Sequence, residues 1–212
     1  MELLDRLPLS IPTLILILAG VLIVARVAVK RAYAIPPAWR TSVVETLDAS
    51  IFAALLSLLI ITFVVQAFYI PSGSMEPTLQ VDDRILVSKF SYRLGRIARG
   101  DVIVFHYPLN PGKDFVKRVV ALGGERVELR DGVVLINKQP ITELYPTALA
   151  AGDRACTTSY GPQTIPQGQL FVLGDNRCNS EDSRFFGFVP VENVVGKALL
   201  VYWPPQRLGL VR

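Results

Sequence analysis

Two long apolar runs constrain this chain more than any other feature. One extends from Ile11 to Val29 and the other from Ala49 to Ala67, each about 19 residues long. A helix that crosses the ~30 Å hydrocarbon core of a bilayer needs roughly 20 apolar residues at ~1.5 Å of rise per residue. The first run contains a single charged residue, Arg26, near its end, and the second contains none. The pattern predicts transmembrane helices at 11–29 and 49–67.

A cleaved signal peptide is the alternative interpretation of the first run. Such a leader is shorter and carries its positive charge before the apolar part. Here the basic residues Arg26, Lys30 and Arg31 come at the far end of the run instead. The sequence therefore favours a helix that stays in the membrane.

The charges beside the two runs predict their orientation. Cytoplasmic loops of membrane proteins carry an excess of Lys and Arg. The loop 30–48 has three basic side chains, whereas the stub 1–10 has one basic and two acidic side chains. We expect the loop to be cytoplasmic, with the stub and residues 68–212 on the outer side. The net charge of +4 partly reflects this topology, so no nucleic-acid partner is indicated.

Residues 68–212 change to short β-type runs separated by turn residues. The runs are Arg84–Ser88, Asp101–Tyr107, Phe115–Leu122, Arg126–Arg130, Val133–Asn137, Gln169–Leu173 and Ala198–Trp203. Asp131-Gly132, between two of them, is a strong hairpin signal. The pattern predicts a mostly-β domain, in which residues 142–168 are irregular and hard to assign.

The cysteines and the histidine limit the kinds of site. Cys156 and Cys178 could form a disulfide in an oxidising compartment, or could be two separate buried thiols. His106 is the only histidine and no CxxC spacing occurs, so a zinc site is not expected. We expect no metal and no cofactor.

Three segments could carry chemistry. The stretch PSGSMEPTLQ (71–80) places two serines around a glycine directly after the second apolar run. A Ser-His-Asp triad would have to use His106, which lies in an apolar run and reads more simply as a strand residue. A serine can instead be activated by a lysine kept neutral by desolvation. A second segment, GDNRCNSEDSRFFG (174–187), is a polar loop that could orient such a lysine or could be only a hydrogen-bonded turn. The third segment contains the lysine.

Lys117, in DFVKRVVAL, is the best candidate for that lysine. With strand alternation it shares a face with Phe115 and Val119, while Arg118 points the other way and can pair with a carboxylate. The alternative is that Lys117 is an edge-strand charge that guards against aggregation.

Together the segments resemble bacterial type I signal peptidases, membrane-bound serine endopeptidases that remove signal peptides from exported proteins. The resemblance rests on PSGSMEPTL, DDRILVSKFSY, RGDVIVFHYP with DFVKRVVALGGE, and GDNRCNSEDSRFFGFVP, in that order behind two apolar runs. It implies a monomeric enzyme of the bacterial inner (cytoplasmic) membrane, whose β-fold catalytic domain lies on the periplasmic side. Its expected partners are signal peptides and the lipid bilayer.

The resemblance also implies roles for individual residues. Ser74 would be the nucleophile and Lys117 the general base, with the Ser72 hydroxyl and the Ser74 N–H forming the oxyanion hole. Ser180 would hydrogen-bond the Lys117 amine and aim it at Ser74. Arg118, Asp182 and Arg184 would be ion-pair partners behind the site. Pockets for the small residues of an Ala-x-Ala-like cleavage site would be lined by Phe68, Ile70, Pro71, Met75, Leu79, Ile85, Val104, Asp114 and Val116, many of which could equally be core residues.

One departure from the family and two competing functions stay open. Cys178 stands where the family commonly has Asp, and a Cys156–Cys178 disulfide could substitute for a salt bridge there. One competing function is a related Ser/Lys protease: a self-cleaving repressor, which is soluble and fits the apolar runs poorly, or the maturation peptidase of a conjugation system. The other is a catalytically silent, membrane-tethered domain that binds exported peptides.

Overall fold

The protein consists of two apolar helices followed by a mostly-β domain. A computed structural model describes residues 11–31, 36–145, 147 and 159–211. Helices α1 (Ile11–Arg31) and α2 (Pro37–Phe63) come first, and all later helices are short. The chain divides into two compact units, Met1–Val65 and Gln66–Arg212. The predicted fold class is confirmed.

Both helices of the first unit are long and apolar enough to span a membrane, by length and composition alone. α2 begins at Pro37 and ends at Phe63, whereas the apolar run predicted a helix at 49–67. Its earlier start has two physical reasons. A proline is tolerated in the first turn, where its missing N–H has no partner to lose. The Thr46 and Ser50 hydroxyls also donate to carbonyls of the preceding turn, which satisfies polar groups inside the helix.

An ion pair joins the two helices. The Arg26 guanidinium binds the Asp48 carboxylate through two contacts, of which Nη2 to Oδ2 is 3.1 Å. Asp48 therefore compensates the one charge that interrupts the first apolar run. The 21-residue α1 also carries Lys30 and Arg31 in its last turn, where cations favour the helix dipole.

The larger sheet of the second unit contains β4, the strand on which Lys117 lies. Its strands run in the order β1-β2-β11-β3-β4-β9-β10, with β12 paired to β11. The strands are β1 (Val65–Tyr69), β2 (Arg84–Ser88), β3 (Val102–His106), β4 (Asp114–Leu122), β9 (Gln169–Leu173), β10 (Val189–Pro190), β11 (Val194–Trp203) and β12 (Gly209–Leu210). Short helices α3 (Ser91–Leu94) and α4 (Ser183–Phe186) lie between strands.

A smaller antiparallel sheet, in the order β7-β6-β5-β8, comprises β5 (Arg126–Arg130), β6 (Val133–Ile136), β7 (Gln139–Pro140) and β8 (Tyr160–Thr164). The turn between β5 and β6 has positive φ at both central residues, Asp131 (49°) and Gly132 (80°). Positive φ at both positions is the signature of a type I′ turn, so the predicted hairpin is confirmed. β8 lies in the stretch that the sequence left unassigned.

β4 is paired unevenly, and this leaves room beside it. On one side it pairs with β3 along 114–118, from His106↔Asp114 to Val102↔Arg118. On the other side its pairing with β9 begins only at Arg118↔Leu173. Residues 114–117 therefore have one edge with no strand partner among the described residues. Lys117 is the last residue of that open edge.

Close strand packing at Gly196 gives a prediction about stability. A Cβ on Gly196 would lie 2.3 Å from the Ser88 carbonyl oxygen, a backbone atom of the paired strand β2. Overpacking of this kind typically costs about 1–3 kcal/mol. We expect Gly196→Ala to lower the free energy of unfolding by about that amount in urea denaturation of the detergent-solubilised protein. The matched control is Gly209→Ala, where the nearest atom is 3.8 Å away. Equal stability of the two variants would contradict the prediction.

Candidate active site

A short turn carries Ser74 at the end of β1. After β1, Ile70 is hydrogen-bonded on both sides, since its N–H donates to the Asp83 carbonyl and its carbonyl accepts from Asp82. A single 3₁₀ turn, Gly73–Met75, follows. Met75 is 1% exposed and packs in a core cluster with Ile70 and Leu79. The turn is thus anchored by an apolar side chain directly after the serine.

Lys117 meets Ser74 from β4. Its Nζ lies 2.8 Å from the Ser74 Oγ and 3.0 Å from the Val116 carbonyl oxygen. Its side chain is 4% exposed, and Nζ lies 5.3 Å from the centre of the Phe115 ring on the same strand face. The sequence-based expectation of an apolar setting for this amine agrees with that geometry.

Burial shifts the pKa of Lys117 downward. Removal from water disfavours the ammonium form and lowers the pKa from 10.5 to about 8. The negative charges of Asp182, Glu181 and Asp175 raise the pKa, but by less than burial lowers it. A substantial fraction of the amine is therefore neutral near pH 8. A neutral amine that touches a hydroxyl can accept its proton.

A cleft of about 450 Å³ opens beside these two residues. Its walls are the end of β1 with the following turn, and the open edge of β4. The lining comprises Phe68, Tyr69, Ile70, Pro71, Ser72, Ser74, Met75, Asp114, Phe115, Val116, Lys117, Asn179 and Glu181. Six of the nine predicted pocket residues are among them. The cleft is mostly apolar, with the reactive pair at its wall.

Three predicted pocket residues do not line the cleft. Leu79, Ile85 and Val104 are all 0% exposed and belong to the hydrophobic core beneath it. These three follow the alternative given above, core packing, because apolar strand residues look alike in sequence whether they face a cleft or the core. Four residues that line the cleft were not predicted: Tyr69, Phe115, Asn179 and Glu181. Asn179 and Glu181 flank Ser180, so their position in the polar loop was the available signal.

Ser72 and Ser180 take different positions in the site. Ser72 is extended (φ −139°, ψ 152°) and lines the cleft beside Ser74. The Ser180 Oγ is buried and has no hydrogen-bond partner in the described part of the chain. The expected hydrogen bond from Ser180 to Lys117 is therefore absent in this structure. Ser180 instead lies against Gly174, since a Cβ there would be 2.2 Å from Ser180 Oγ and 2.4 Å from the Ser74 carbonyl oxygen.

Two buried ion pairs lie behind the site, one between residues that were predicted as partners and one with a partner that was not predicted. Arg118 binds Asp175, with Nε–Oδ1 at 2.8 Å and Nη2–Oδ2 at 2.6 Å. The Thr78 hydroxyl also donates to Asp175 at 2.5 Å. Asp182 pairs with Arg184, both of them predicted ion-pair residues, and it also accepts from the Gly174 N–H. Asp175 was not predicted as the partner of Arg118 because the two residues are far apart in the sequence and no local pattern links them.

His106 is not part of the Ser74–Lys117 pair. His106 ends β3, where its Nδ1 lies 2.7 Å from the Asp114 carboxylate at the rim of the cleft. Cys156 lies outside the described residues, so its pairing with Cys178 stays a prediction.

Comparison with known proteins decides the family. The model of the signal peptidase family, peptidase S26, matches residues 43–203. A signal peptidase I of Leptolyngbya laminosa is 44% identical over 173 residues, covering 78% of this chain and 81% of the relative. The signal peptidase I of Mycobacterium tuberculosis H37Rv is 38% identical, with 83% and 78% covered. A crystal structure of a signal peptidase I from Enterococcus faecalis is 37% identical over 49% of this chain and 97% of that chain, with a TM-score of 0.42.

The chain belongs to the signal peptidase family. As a member of this family it is a serine endopeptidase, a hydrolase that acts on signal peptides. The family match begins within α2 and spans most of that helix and nearly all of the second unit. It therefore contains the cleft, the serine turn and the lysine strand.

The Arg118–Asp175 pair gives a prediction for this signal peptidase domain. Both side chains are at most 1% exposed. Removing one member of a buried pair leaves an uncompensated charge and typically costs about 3–5 kcal/mol. We expect Asp175→Asn to lower the free energy of unfolding by an amount in that range in chemical denaturation. Glu128→Gln, which breaks the pair with the 65% exposed Arg130, is the control and should cost less than about 1 kcal/mol. An Asp175→Asn variant as stable as this control would refute the assignment.

Proposed function

We propose that the protein cleaves signal peptides with Ser74 as the nucleophile and Lys117 as the general base. One observation carries the proposal: a nearly fully buried lysine amine lies 2.8 Å from a serine hydroxyl that lines an open cleft. A domain that only bound peptides would gain nothing from burying an amine against a serine. The geometry of the pair therefore favours catalysis over the silent binding domain.

The proposed reaction begins when the neutral Lys117 amine takes the Ser74 Oγ proton. Oγ attacks the carbonyl carbon of the scissile peptide bond, and the π electrons of that carbonyl move to its oxygen. When the tetrahedral intermediate collapses, Lys117 returns the proton to the leaving amine, and an acyl-enzyme remains on Ser74. Water, deprotonated by the same lysine, then attacks the ester carbonyl. As the bond from the acyl carbon to the Ser74 Oγ breaks, Lys117 returns the proton to Oγ, which releases the acid product and restores the enzyme.

The oxyanion of the intermediate needs hydrogen-bond donors. The Ser72 hydroxyl and the Ser74 N–H are the proposed donors, since both residues line the cleft at the reactive pair. Preorganised donors of this kind each contribute about 3–4 kcal/mol to transition-state stabilisation. Ser180 would support the serine turn by packing against Gly174, which itself lies next to the Ser74 carbonyl.

The substrate would bind as an extended strand along the open edge of β4. Residues 114–117 offer backbone groups with no strand partner in the described structure, and β1 forms the opposite wall. Strand addition satisfies such groups and presents alternate side chains to the walls. Small apolar recesses beside Phe68, Ile70, Met75 and Val116 would accept small residues at an Ala-x-Ala-like cleavage site.

We further propose that α1 and α2 anchor the enzyme in the bacterial inner membrane, with the second unit on the periplasmic side. The basic cluster between the two apolar stretches supports this orientation through the positive-inside rule. Only about ten residues of chain separate the end of α2 from the serine turn. The enzyme would work as a monomer without a cofactor.

Substitution of the reactive pair tests the proposed function. We expect Ser74→Ala and Lys117→Met each to reduce cleavage of a signal-peptide-bearing precursor by at least about 10³-fold, as in other serine enzymes that lose a member of the reactive unit. Mass spectrometry of the product should place the new N-terminus after an Ala-x-Ala-like sequence. Lys138→Met, at an exposed turn, is the control and should retain wild-type turnover. Near-wild-type cleavage by either active-site variant would sink the assignment.

The pH dependence of the rate tests the role of the lysine separately. The active form is the neutral amine, and its fraction rises with pH through a pKa of about 8. We expect kcat/KM to increase tenfold per pH unit below this value and to level off above it. A plateau already reached at pH 6 would show that another group is the base.

A further inference from the structure

Asn176 makes two contacts with the serine turn that the reaction described above does not use. Its side-chain Nδ2 donates to the Gly73 carbonyl oxygen at 3.1 Å. Its backbone N–H donates to the Ser74 carbonyl oxygen, also at 3.1 Å. Asn176 lies in the loop that follows β9, about a hundred residues further along the chain. One residue of that loop therefore holds both carbonyls that flank the serine.

The Gly73 carbonyl belongs to the same peptide group as the Ser74 N–H. A trans peptide is planar, and its C=O and N–H bonds point in opposite directions. The bond between Gly73 and Ser74 is trans, since the cis bonds of the described chain lie elsewhere. Fixing the direction of the Gly73 oxygen therefore fixes the direction of the Ser74 hydrogen.

Both acceptor positions of the Gly73 oxygen are occupied. One is taken by the Glu76 N–H of the 3₁₀ turn at 3.1 Å and the other by Asn176. The first bond is internal to the turn and moves with it. The second ties the peptide plane to the loop after β9. Of these two hydrogen bonds on the Gly73 oxygen, only the one from Asn176 can set the direction of the peptide plane relative to that loop.

The Ser74 N–H itself donates to no group in the described structure. As the second residue of a 3₁₀ turn it has no partner within the turn. Asn176 is not among the residues that line the cleft, whereas Ser72 and Ser74 are. The carbonyl side of the peptide is thus turned towards the loop, and the N–H side is turned away from it.

We propose that Asn176 is a positioning residue for the oxyanion hole, which aims the Ser74 N–H by holding the Gly73 carbonyl. This inference rests on the proposed function, since it takes Ser74 as the nucleophile. Asn176 would touch neither the substrate nor the reacting atoms. Its side chain would act on the transition state, where the carbonyl oxygen carries negative charge, and much less on substrate binding.

The test uses the full chain in detergent micelles with Asn176→Ala and Asn176→Asp. The first variant removes the amide, and the second keeps its size but replaces the donor by an acceptor. Either variant retains the backbone N–H that binds the Ser74 carbonyl. The control is Asn193→Ala, because the Asn193 Nδ2 also donates to a backbone carbonyl, that of His106, at 3.3 Å.

We expect both variants to lower kcat about 10- to 100-fold, with KM changed less than about threefold. Removing an oxyanion donor lowers kcat about 10²- to 10³-fold, and a donor that is only misaligned should lower kcat by a smaller factor. A peptide aldehyde, which forms a bond from Ser74 Oγ to its carbonyl carbon and moves the π electrons to oxygen, should bind more weakly by a similar factor. The product peptide should bind as to the wild type. The pH midpoint of kcat/KM should not move in Asn176→Ala, whereas the carboxylate added in Asn176→Asp should shift it upward by favouring the ammonium form of Lys117. Asn193→Ala should match the wild type.

Other results overturn the inference. An unchanged kcat would show that the plane is set without Asn176. Equal weakening of the aldehyde and the product peptide would show a general loss of structure. A moved pH midpoint in Asn176→Ala, which adds no charge, would show an effect through Lys117. If the wild type failed to cleave, or Ser74→Ala cleaved, the proposed function itself would fail. Wild-type cleavage through Ser74 with fully active Asn176 variants would refute the positioning role alone.

Discussion

The structure of the catalytic domain depends on keeping the amine of Lys117 out of water and against Ser74. An ammonium group in an apolar setting is unfavourable, so burial shifts the group towards its neutral form. The domain achieves this by placing the lysine in the sheet, where β3 pairs with its strand and the Phe115 ring covers the same face. Because pairing with β9 begins only one residue later, the strand also keeps an open edge. One strand thus supplies both the proposed base and the proposed surface for an extended substrate.

Two consecutive basic residues on β4, Lys117 and Arg118, are both buried, but the cost of burying their charge is avoided differently. Lys117 can lose its proton, whereas the guanidinium of Arg118 cannot and must be paired. The bidentate contact with Asp175 provides this pairing on the opposite face of the strand. It has a second consequence, because Asp175 and Asp182 would otherwise act on Lys117 as bare negative charges and favour the ammonium. Their pairing with Arg118 and Arg184 weakens that field, and desolvation then determines the direction of the pKa shift.

Local patterns in the sequence predicted local structure well and distant partners poorly. Alternation located most strands of the large sheet, and Asp131-Gly132 located the hairpin, because both are set by neighbouring residues. The apolar face of Lys117 was visible for the same reason. The Arg118–Asp175 pair joins residues 57 positions apart, and no periodicity reports such a contact. Whether an apolar side chain such as Val104 faces the cleft or the core also depends on which strand edges remain open, which is a property of the assembled sheet.

The serine turn shows why the loop 174–184 is so rich in hydrogen-bonding groups. A three-residue 3₁₀ turn has too few internal hydrogen bonds to hold the proposed nucleophile in place. Its position must therefore be fixed from outside: by Met75 in the core, by Lys117 at the hydroxyl and by Asn176 at the two carbonyls. The loop can approach the Ser74 carbonyl this closely only because Gly174 has no Cβ, which would lie 2.4 Å from that oxygen. The Arg177 and Asp182 side chains in turn hold the loop through Gly174 backbone groups. The segment is thus rich in polar side chains because these side chains supply the hydrogen bonds that the serine turn cannot make within itself.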